Sequence, residues 1–193
     1  MTRPRPAITS SAASPRASGG PGRFSGTNLG SPLWTLCTRD FLPAIQVPYA
    51  ESELDEIFGG YLRAYEDSYR SFPDVPQMLA TIAAAGLSTA VLTNGSRQQQ
   101  NRKLSRVGLA GIGPVYTPDD LGVAKPDPAA FRLACERWGL APAEVLSVGD
   151  NHEFDVLGAR AAGLHAIHLD RRGEGPFDEP HRIATLAALR VGV

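Results

Sequence analysis

Short apolar runs alternate with helix-like segments through most of the chain, and this alternation limits the possible folds more than any other sequence feature. The runs at 87–92, 145–149 and 165–169 have the length and β-branched content of buried strands. The helical segments between them end at glycines, among them Gly139 and Gly163. Alternating strands and helices predict an α/β fold in which helices cover both faces of a parallel sheet. Such sheets bind ligands beyond the carboxyl ends of their strands.

Composition excludes several classes of partner. The 193 residues carry 19 basic and 20 acidic side chains, and the resulting net charge of -1 gives no reason to expect a nucleic acid or an anionic membrane as partner. No apolar run approaches the roughly 20 residues of a membrane helix. Two cysteines, Cys37 and Cys135, are too few for a disulfide framework and suit a reducing compartment. We therefore predict a cytoplasmic protein without nucleic-acid or membrane partners, and the sequence leaves its oligomeric state open.

The first 32 residues differ from the rest of the chain. Of these, 23 are Gly, Pro, Ser, Thr or Ala, and the segment has four arginines and no acidic residue. So little apolar surface cannot offset the entropy lost when the backbone becomes ordered. A disordered segment, an artefactual start and a targeting segment all have such a composition. Composition alone does not separate these three interpretations.

Four polar residues lie where a ligand site is expected. Thr93 and Asp150 each follow a predicted strand, and Lys125 lies in a proline-rich turn before a helix. A hydroxyl beside backbone amides can hold phosphate oxygens, a lysine supplies a compact cation, and the carboxylates of Asp150 and Asp155 suit Mg2+. Taken singly, Thr93 is also explained as a helix cap, Lys125 as a solvated turn residue and Asp155 as a helix-start charge. Their joint occurrence at successive strand ends favours a ligand site.

Three segments resemble the haloacid dehalogenase-like hydrolases. They are VLTNGS at 91–96, GVAKPDP at 122–128 and VGDNHEFDVLGARAAG at 148–163. These segments are similar to the second, third and fourth motifs of that superfamily and occur in the same order. The Gly-Asp pair, the second Asp after a four-residue gap, and the following Gly-Ala and Ala-Gly pairs make the resemblance specific. It extends from about residue 50 to residue 173.

The resemblance implies a doubly wound, Rossmann-like parallel sheet with a partial helical cap near residues 53–71, a segment whose aromatic stripe we interpret as core. It further implies a magnesium-dependent phosphatase that cleaves a small phosphorylated metabolite through a phospho-aspartate. In that family's pattern, Thr93 and the backbone amide of Asn94 bind the phosphoryl group. Lys125 binds and stabilises it as a catalytic residue, and Asp150 and Asp155 hold Mg2+. The Gly149-Asp150 pair favours a phosphatase over a dehalogenase, and the substrate itself is not specified.

The family's first motif is absent from the sequence. That motif is an apolar strand ending in Asp-x-Asp, whose first aspartate is the nucleophile, and this chain contains no Asp-x-Asp. The only aspartate before Asp55 is Asp40, which lacks a partner carboxylate. Covalent phosphoryl transfer needs the nucleophile, because the remaining groups only position and neutralise. Two hypotheses follow: a phosphatase whose true start has been replaced, or a non-catalytic relative that binds a phosphorylated ligand or a protein partner.

The missing motif also affects the expected architecture. We predict a disordered or non-native leader at 1–32, a remnant helical cap at 33–72 and the core domain at 73–193. The family places its first strand at the centre of the sheet, and only residues 33–37 have the length and β character to replace it. We expect these residues to belong to the cap side or to be poorly ordered, so that the central position is unfilled or badly filled. Unpaired inner edges would then make the chain unstable or prone to aggregate.

Overall fold

The computed structural model describes residues 41–191 and, for the backbone alone, residues 7–10. The chain divides into two compact units, residues 1–14 together with 70–193, and residues 15–69. Residues 33–37, which we considered for the central strand, lie outside the described ranges. Within those ranges, no helix is both long enough and apolar enough to cross a membrane.

The larger unit contains a six-stranded sheet flanked by helices. Its strands are β1 (Ala7–Ser10), β2 (Ser88–Leu92), β3 (Val115–Tyr116), β4 (Val145–Gly149), β5 (His165–Leu169) and β6 (Arg182–Ile183). Its helices are α2 (Asp74–Ala84), α3 (Arg97–Arg106), α4 (Pro118–Leu121), α5 (Pro128–Trp138) and α6 (Gly158–Ala161), with a π-helical turn at His152–Leu157. Helix α1 (Leu54–Asp67) belongs to the smaller unit.

All neighbouring strands run parallel in the order β3-β2-β1-β4-β5-β6. The predicted α/β class is therefore confirmed, but the expected gap at the centre is wrong. Strand β1 pairs with β2 through Thr9 opposite Ala90 and with β4 through Ser10 opposite Val148. Four residues suffice because their backbone groups satisfy both inner edges. We predicted instability because the inner edges of β2 and β4 were expected to be unpaired, and β1 pairs with both of these edges.

Strand β1 lies inside the segment that we predicted to be a leader. Composition did not predict this strand, because four residues between Pro- and Ser-rich stretches hardly change the average composition of residues 1–32. The nature of the remaining residues of 1–32 stays a prediction.

Two hydrophobic clusters stabilise the larger unit. One contains Phe131 and Ala134 of α5 and Val145 of β4, and the other contains Met78 and Ile82 of α2. Strand β4 contributes Val148 to the second cluster, because residues an odd number of positions apart face opposite sides of a sheet. Helices on both faces make the sheet doubly wound. Cys135 lies in the first cluster with 2% exposure, which agrees with its interpretation as a core residue.

Helix α1 has an aromatic stripe that is only partly buried. Leu54 at its start is 1% exposed, whereas Tyr61 is 61% exposed. Tyr65 stacks on Tyr61 at 6.0 Å between ring centroids and contacts the edge of Tyr69 at 5.1 Å. The interpretation of the whole stripe as core is therefore wrong, because these rings contact one another along the helix surface.

Candidate active site

The carboxyl ends of β2 and β4 bring two of the predicted site residues to the same edge of the sheet. Thr93 directly follows β2 and is buried, whereas Asp150 directly follows β4 and is exposed. The Gly95 amide donates to Thr93 Oγ1 at 3.2 Å, and the turn then passes into α3, whose first turn is capped by Ser96. The Thr93–Gly95 segment thus ends a strand and begins a helix, which is a common setting for anion binding.

Asn94 joins this turn to the turn that contains Lys125. Its side-chain Nδ2 donates to the Lys125 carbonyl, and its Oδ1 accepts from the Lys125 amide, both at 2.8 Å. This reciprocal pair fixes the backbone of Lys125 against the end of β2. The Asn94 side chain is used in this way, so the phosphate contact predicted for its backbone amide does not involve the side chain.

Lys125 and Asp155 form a buried ion pair. Lys125 Nζ lies 2.5 Å from Asp155 Oδ1, and the two side chains are 5% and 3% exposed. Asp155 Oδ2 also accepts from the Asn151 amide at 3.0 Å, while Ser147 Oγ donates to the Asp155 carbonyl at 3.0 Å. The pair therefore holds Lys125 at the end of β4 with its charge balanced inside the protein.

Two glycines of the Gly-Asp and Gly-Ala pairs permit this close packing. A Cβ atom at Gly149 would collide with the Asp155 carboxylate, and one at Gly158 would lie 2.7 Å from the Pro126 carbonyl oxygen. Neither glycine has a positive φ, so both are required for space rather than for backbone conformation. Gly149 thus lets Asp155 reach the strand end.

Asp150 lies in an electrostatically mixed environment. Loss of hydration raises the pKa of its carboxyl group, and the negative charge of Asp155 raises it further, while Lys125 and Lys103 act in the opposite direction. Burial lowers the pKa of Lys103, and Asp150 opposes that shift. A further cation near Asp150 would favour its charged form.

The donor set can be compared with what Mg2+ requires. Proteins bind Mg2+ through one or two carboxylates together with waters and substrate phosphate oxygens. Asp150 is an exposed residue whose carboxylate is partly desolvated, whereas both oxygens of Asp155 already accept from Lys125 and Asn151. Within residues 41–191, no three His, Cys, Asp or Glu side chains form a group that could hold a metal ion. These donors fit a Mg2+ ion held jointly by Asp150, waters and a bound phosphate, and they do not form a complete protein cage.

All the predicted site residues therefore lie on neighbouring turns of one unit: Thr93, Asn94, Lys125, Asp150 and Asp155. Sequence reasoning missed Lys103, whose charge interacts with Asp150 from helix α3. It also missed His168, whose Nε2 lies 3.2 Å from the Asp150 carbonyl oxygen. Lys103 has no distinctive signal in the sequence, since it is one of several basic residues in the polar segment 97–106. His168 has none, because the neighbouring strand brings it near Asp150.

Comparison with known proteins gives the same result as the motifs. Residues 29–163 match the family described as haloacid dehalogenase-like hydrolase. A phosphoserine phosphatase of Thermus thermophilus is 40% identical over 136 residues, which cover 69% of this chain and 53% of that protein. The (S)-2-haloacid dehalogenase 4A of Burkholderia cepacia is 31% identical, with 66% and 57% of the two chains covered. The chain thus spans about half the length of these curated relatives.

Solved structures agree on the fold. A HAD phosphatase from Thermococcus onnurineus superposes with a TM-score of 0.62 over 94% of both chains, at 22% sequence identity. At that identity the likeness concerns the fold alone. The match over residues 29–163, which is more than half of the sequence, establishes that the chain belongs to the haloacid dehalogenase-like hydrolases.

Proposed function

We propose that the chain binds small phosphate esters in the manner of the phosphatases of its family, and that in its present sequence it hydrolyses them negligibly. The observation that carries the proposal is the junction of the Thr93 turn with Lys125 through Asn94. This junction places the Thr93 hydroxyl and the backbone amides of its turn next to the turn that bears the Lys125 side chain. Hydroxyls, backbone amides and cationic side chains are the groups that bind a phosphoryl dianion. Relatives described as phosphatases of phosphoserine and glyceraldehyde 3-phosphate support the substrate class.

In this proposal each residue has a distinct role. Thr93 Oγ1 and the Asn94 amide bind phosphoryl oxygens, and Lys125 Nζ neutralises negative charge on the bound phosphoryl group. Asp155 holds Lys125 in place, and its predicted role as a direct metal ligand stays a prediction. Mg2+, when bound at Asp150 together with the phosphate, would neutralise further negative charge.

The chemical step needs a carboxylate nucleophile that the sequence does not provide at the matching position. The central strand β1 ends at Ser10, and the first acidic residue of the sequence is Asp40. No carboxylate therefore lies directly after this strand. Positioning and charge neutralisation remain, but the group that would form the phospho-enzyme is missing. We therefore propose binding without turnover. The dehalogenase relatives do not change this proposal, because the family resemblance assigns the same missing carboxylate to their reaction.

The other proposed properties depend on composition. The two cysteines and the balanced charge favour a cytosolic protein whose partner is a small phosphorylated metabolite rather than nucleic acid or membrane. A non-catalytic role in binding a phosphorylated ligand or partner is compatible with the same site.

Calorimetric titration with inorganic phosphate tests the binding proposal. Lys125→Met removes the cation while keeping the length of the side chain, and we expect phosphate affinity to fall about tenfold or more. Arg172→Met is the matched control, because it removes the same charge from a residue whose side chain is 64% exposed. Thr93→Val should also weaken binding, whereas Thr81→Val, on the exposed side of α2, should not. Equal phosphate affinity in Lys125→Met and Arg172→Met would contradict the proposal.

A further inference from the structure

We propose that His168 is a positioning residue that holds the Asp150–Asn151 peptide group in place from the neighbouring strand. His168 lies in β5 and is 2% exposed, and its Nε2 lies 3.2 Å from the Asp150 carbonyl oxygen. Since a carbonyl oxygen only accepts hydrogen bonds, Nε2 carries the hydrogen and donates it. The functional consequence for a bound phosphate depends on the proposed function, whereas the positioning itself does not.

The contact matters because the same peptide group is held at both ends. The carbonyl of Asp150 accepts from His168, and the amide of Asn151 donates to Asp155 Oδ2 at 3.0 Å. These two groups belong to one planar unit, so the two hydrogen bonds together fix its rotation. Asp155 in turn pairs with Lys125 at 2.5 Å. His168 is thereby connected through one peptide plane to the buried ion pair.

Packing alone does not explain a histidine at this position. Its second ring nitrogen, Nδ1, is buried and has no hydrogen-bond partner among the described residues. A buried polar atom without a partner costs free energy, which an aliphatic side chain in the same strand would avoid. The one contact to which the imidazole contributes a hydrogen is the bond to Asp150. That bond is therefore the property that distinguishes histidine from leucine here.

Neighbouring residues fix the orientation of the ring. His152 contacts the His168 ring with 5.3 Å between centroids, and His152 Nε2 lies 3.0 Å from Glu179 Oε2. Arg160 donates to both oxygens of Glu179 at 2.8 and 2.7 Å. The Glu179 side chain is only 3% exposed, so this charged group holds the His152 ring firmly in place. Such packing leaves His168 little freedom to turn away from Asp150.

Three variants separate the hydrogen bond from the bulk of the ring. His168→Gln keeps a donor near the position of Nε2, His168→Asn places its carboxamide near Nδ1, and His168→Leu has no donor. Hydrogen exchange of the Asn151 amide, followed by NMR, reports on the fixed peptide group because that amide is protected by Asp155. We expect exchange to become about fivefold faster or more in the Leu and Asn variants. The Gln variant should stay close to the parent.

Reference amides separate positioning from general destabilisation. The Val91 and Thr93 amides, bonded to Pro114 and Tyr116, should keep their exchange rates in all three variants. Unchanged Asn151 exchange in His168→Leu, failure of His168→Gln to restore it, or equal acceleration of the reference amides would overturn the inference.

Phosphate titration with and without Mg2+ then addresses the link to function. The increase in phosphate affinity caused by Mg2+ should be lost in His168→Leu and His168→Asn and kept in His168→Gln. If the parent does not bind phosphate at all, the proposed function is wrong, while the exchange experiment still decides the positioning role.

Discussion

At the scale of single residues, the candidate site depends on a buried ion pair between Lys125 and Asp155. Lys125 and Asp155 are each at least nine-tenths buried, and each is the other's ion-pair partner. Removing one member breaks this buried ion pair, and breaking a buried pair costs more than the intact pair contributes. The pair therefore stabilises the fold around the site, and Asp155 also holds the charged Lys125 side chain in place there.

A double-mutant cycle measures this coupling. Lys125→Met and Asp155→Asn should each lower the free energy of unfolding by about 3 kcal/mol or more. The double variant should lose clearly less than the sum, because each single variant already breaks the same ion pair. Chemical denaturation gives all four values, with Arg172→Met expected to stay within about 0.5 kcal/mol of the parent. Strictly additive losses would show that the two side chains do not act as a pair.

Gly149 is a second single-residue test. Gly149→Ala places a Cβ atom against the Asp155 carboxylate, so we expect unfolding free energy to fall by about 1–3 kcal/mol and phosphate affinity to decrease. Gly111→Ala is the control, since no atom lies within 4 Å of a Cβ built there. Equal stability of the two variants would mean that the close approach of Asp155 to Gly149 is not required.

The sequence identifies several residues of the candidate site, but it does not predict the hydrogen bonds between them. Thr93 and Asp150 follow from their places after strands, because parallel strands end at one edge of a sheet, and Lys125 follows from its place in a proline-rich turn before a helix. The side-chain bonds of Asn94 to Lys125 were not predictable, since they join residues 31 positions apart through tertiary packing. His168 was missed for the same reason.

At the scale of elements, a carboxylate joins the start of α2 to the end of β5 and to the C-terminal segment. Asp74 accepts from Arg171 at 2.9 Å through each of its oxygens, and from Thr185 Oγ1 at 2.5 Å and the Leu186 amide at 2.8 Å. These bonds hold the pKa of Asp74 well below its ordinary value, with the Arg171 hydrogen bonds as the largest cause. One side chain thus connects three segments of the larger unit.

The pH dependence of stability follows from that shift. A carboxyl group with a lower pKa in the folded state stabilises the fold above its unfolded pKa of about 4, and the contribution disappears as the pH falls below that value. Asp74→Asn should therefore reduce stability at neutral pH and flatten the loss of stability between about pH 5 and pH 2.

The parent should keep a steeper slope, part of which comes from Asp170 and Glu179, whose pKa values are also lowered. Denaturation curves across this range measure the effect. Asp178→Asn, in an exposed loop, should change stability by no more than about 0.5 kcal/mol at neutral pH. Parallel pH profiles for Asp74→Asn and the parent would contradict the account.

Element positions were predictable where the pattern is local. Strands β4 and β5 have the predicted bounds, because each is a short apolar run with polar flanks. The helix predicted to begin at Asp155 instead begins with a π-helical turn at His152. In that turn Asn151 Oδ1 accepts from the Phe154 amide, and Asp155 Oδ2 accepts from the Asn151 amide. Hydrophobic periodicity does not predict such side-chain contacts.

At the scale of the whole molecule, the sheet is completed by a strand that composition did not predict. Strand β1 pairs on both sides, so its backbone amides are required at the centre of the sheet. Thr9→Pro removes one of these amides, and we expect a loss of about 3 kcal/mol or more, or of the cooperative transition itself. Thr9→Val keeps the amide and should therefore lose clearly less stability than Thr9→Pro. A Thr9→Pro variant of unchanged stability would show that the sheet does not need this strand.

The larger unit combines a completed sheet with the edge at which we propose phosphate binding, but the sequence provides no carboxylate directly after its central strand. Steady-state hydrolysis of an aryl phosphate in the presence of Mg2+ tests this account most directly, with Asp150→Asn as the matched variant. We predict that the parent and Asp150→Asn both release phosphate at the rate of buffer alone, although the parent binds inorganic phosphate. Turnover by the parent that Asp150→Asn abolishes would contradict the account, because it would require a nucleophile elsewhere in the chain.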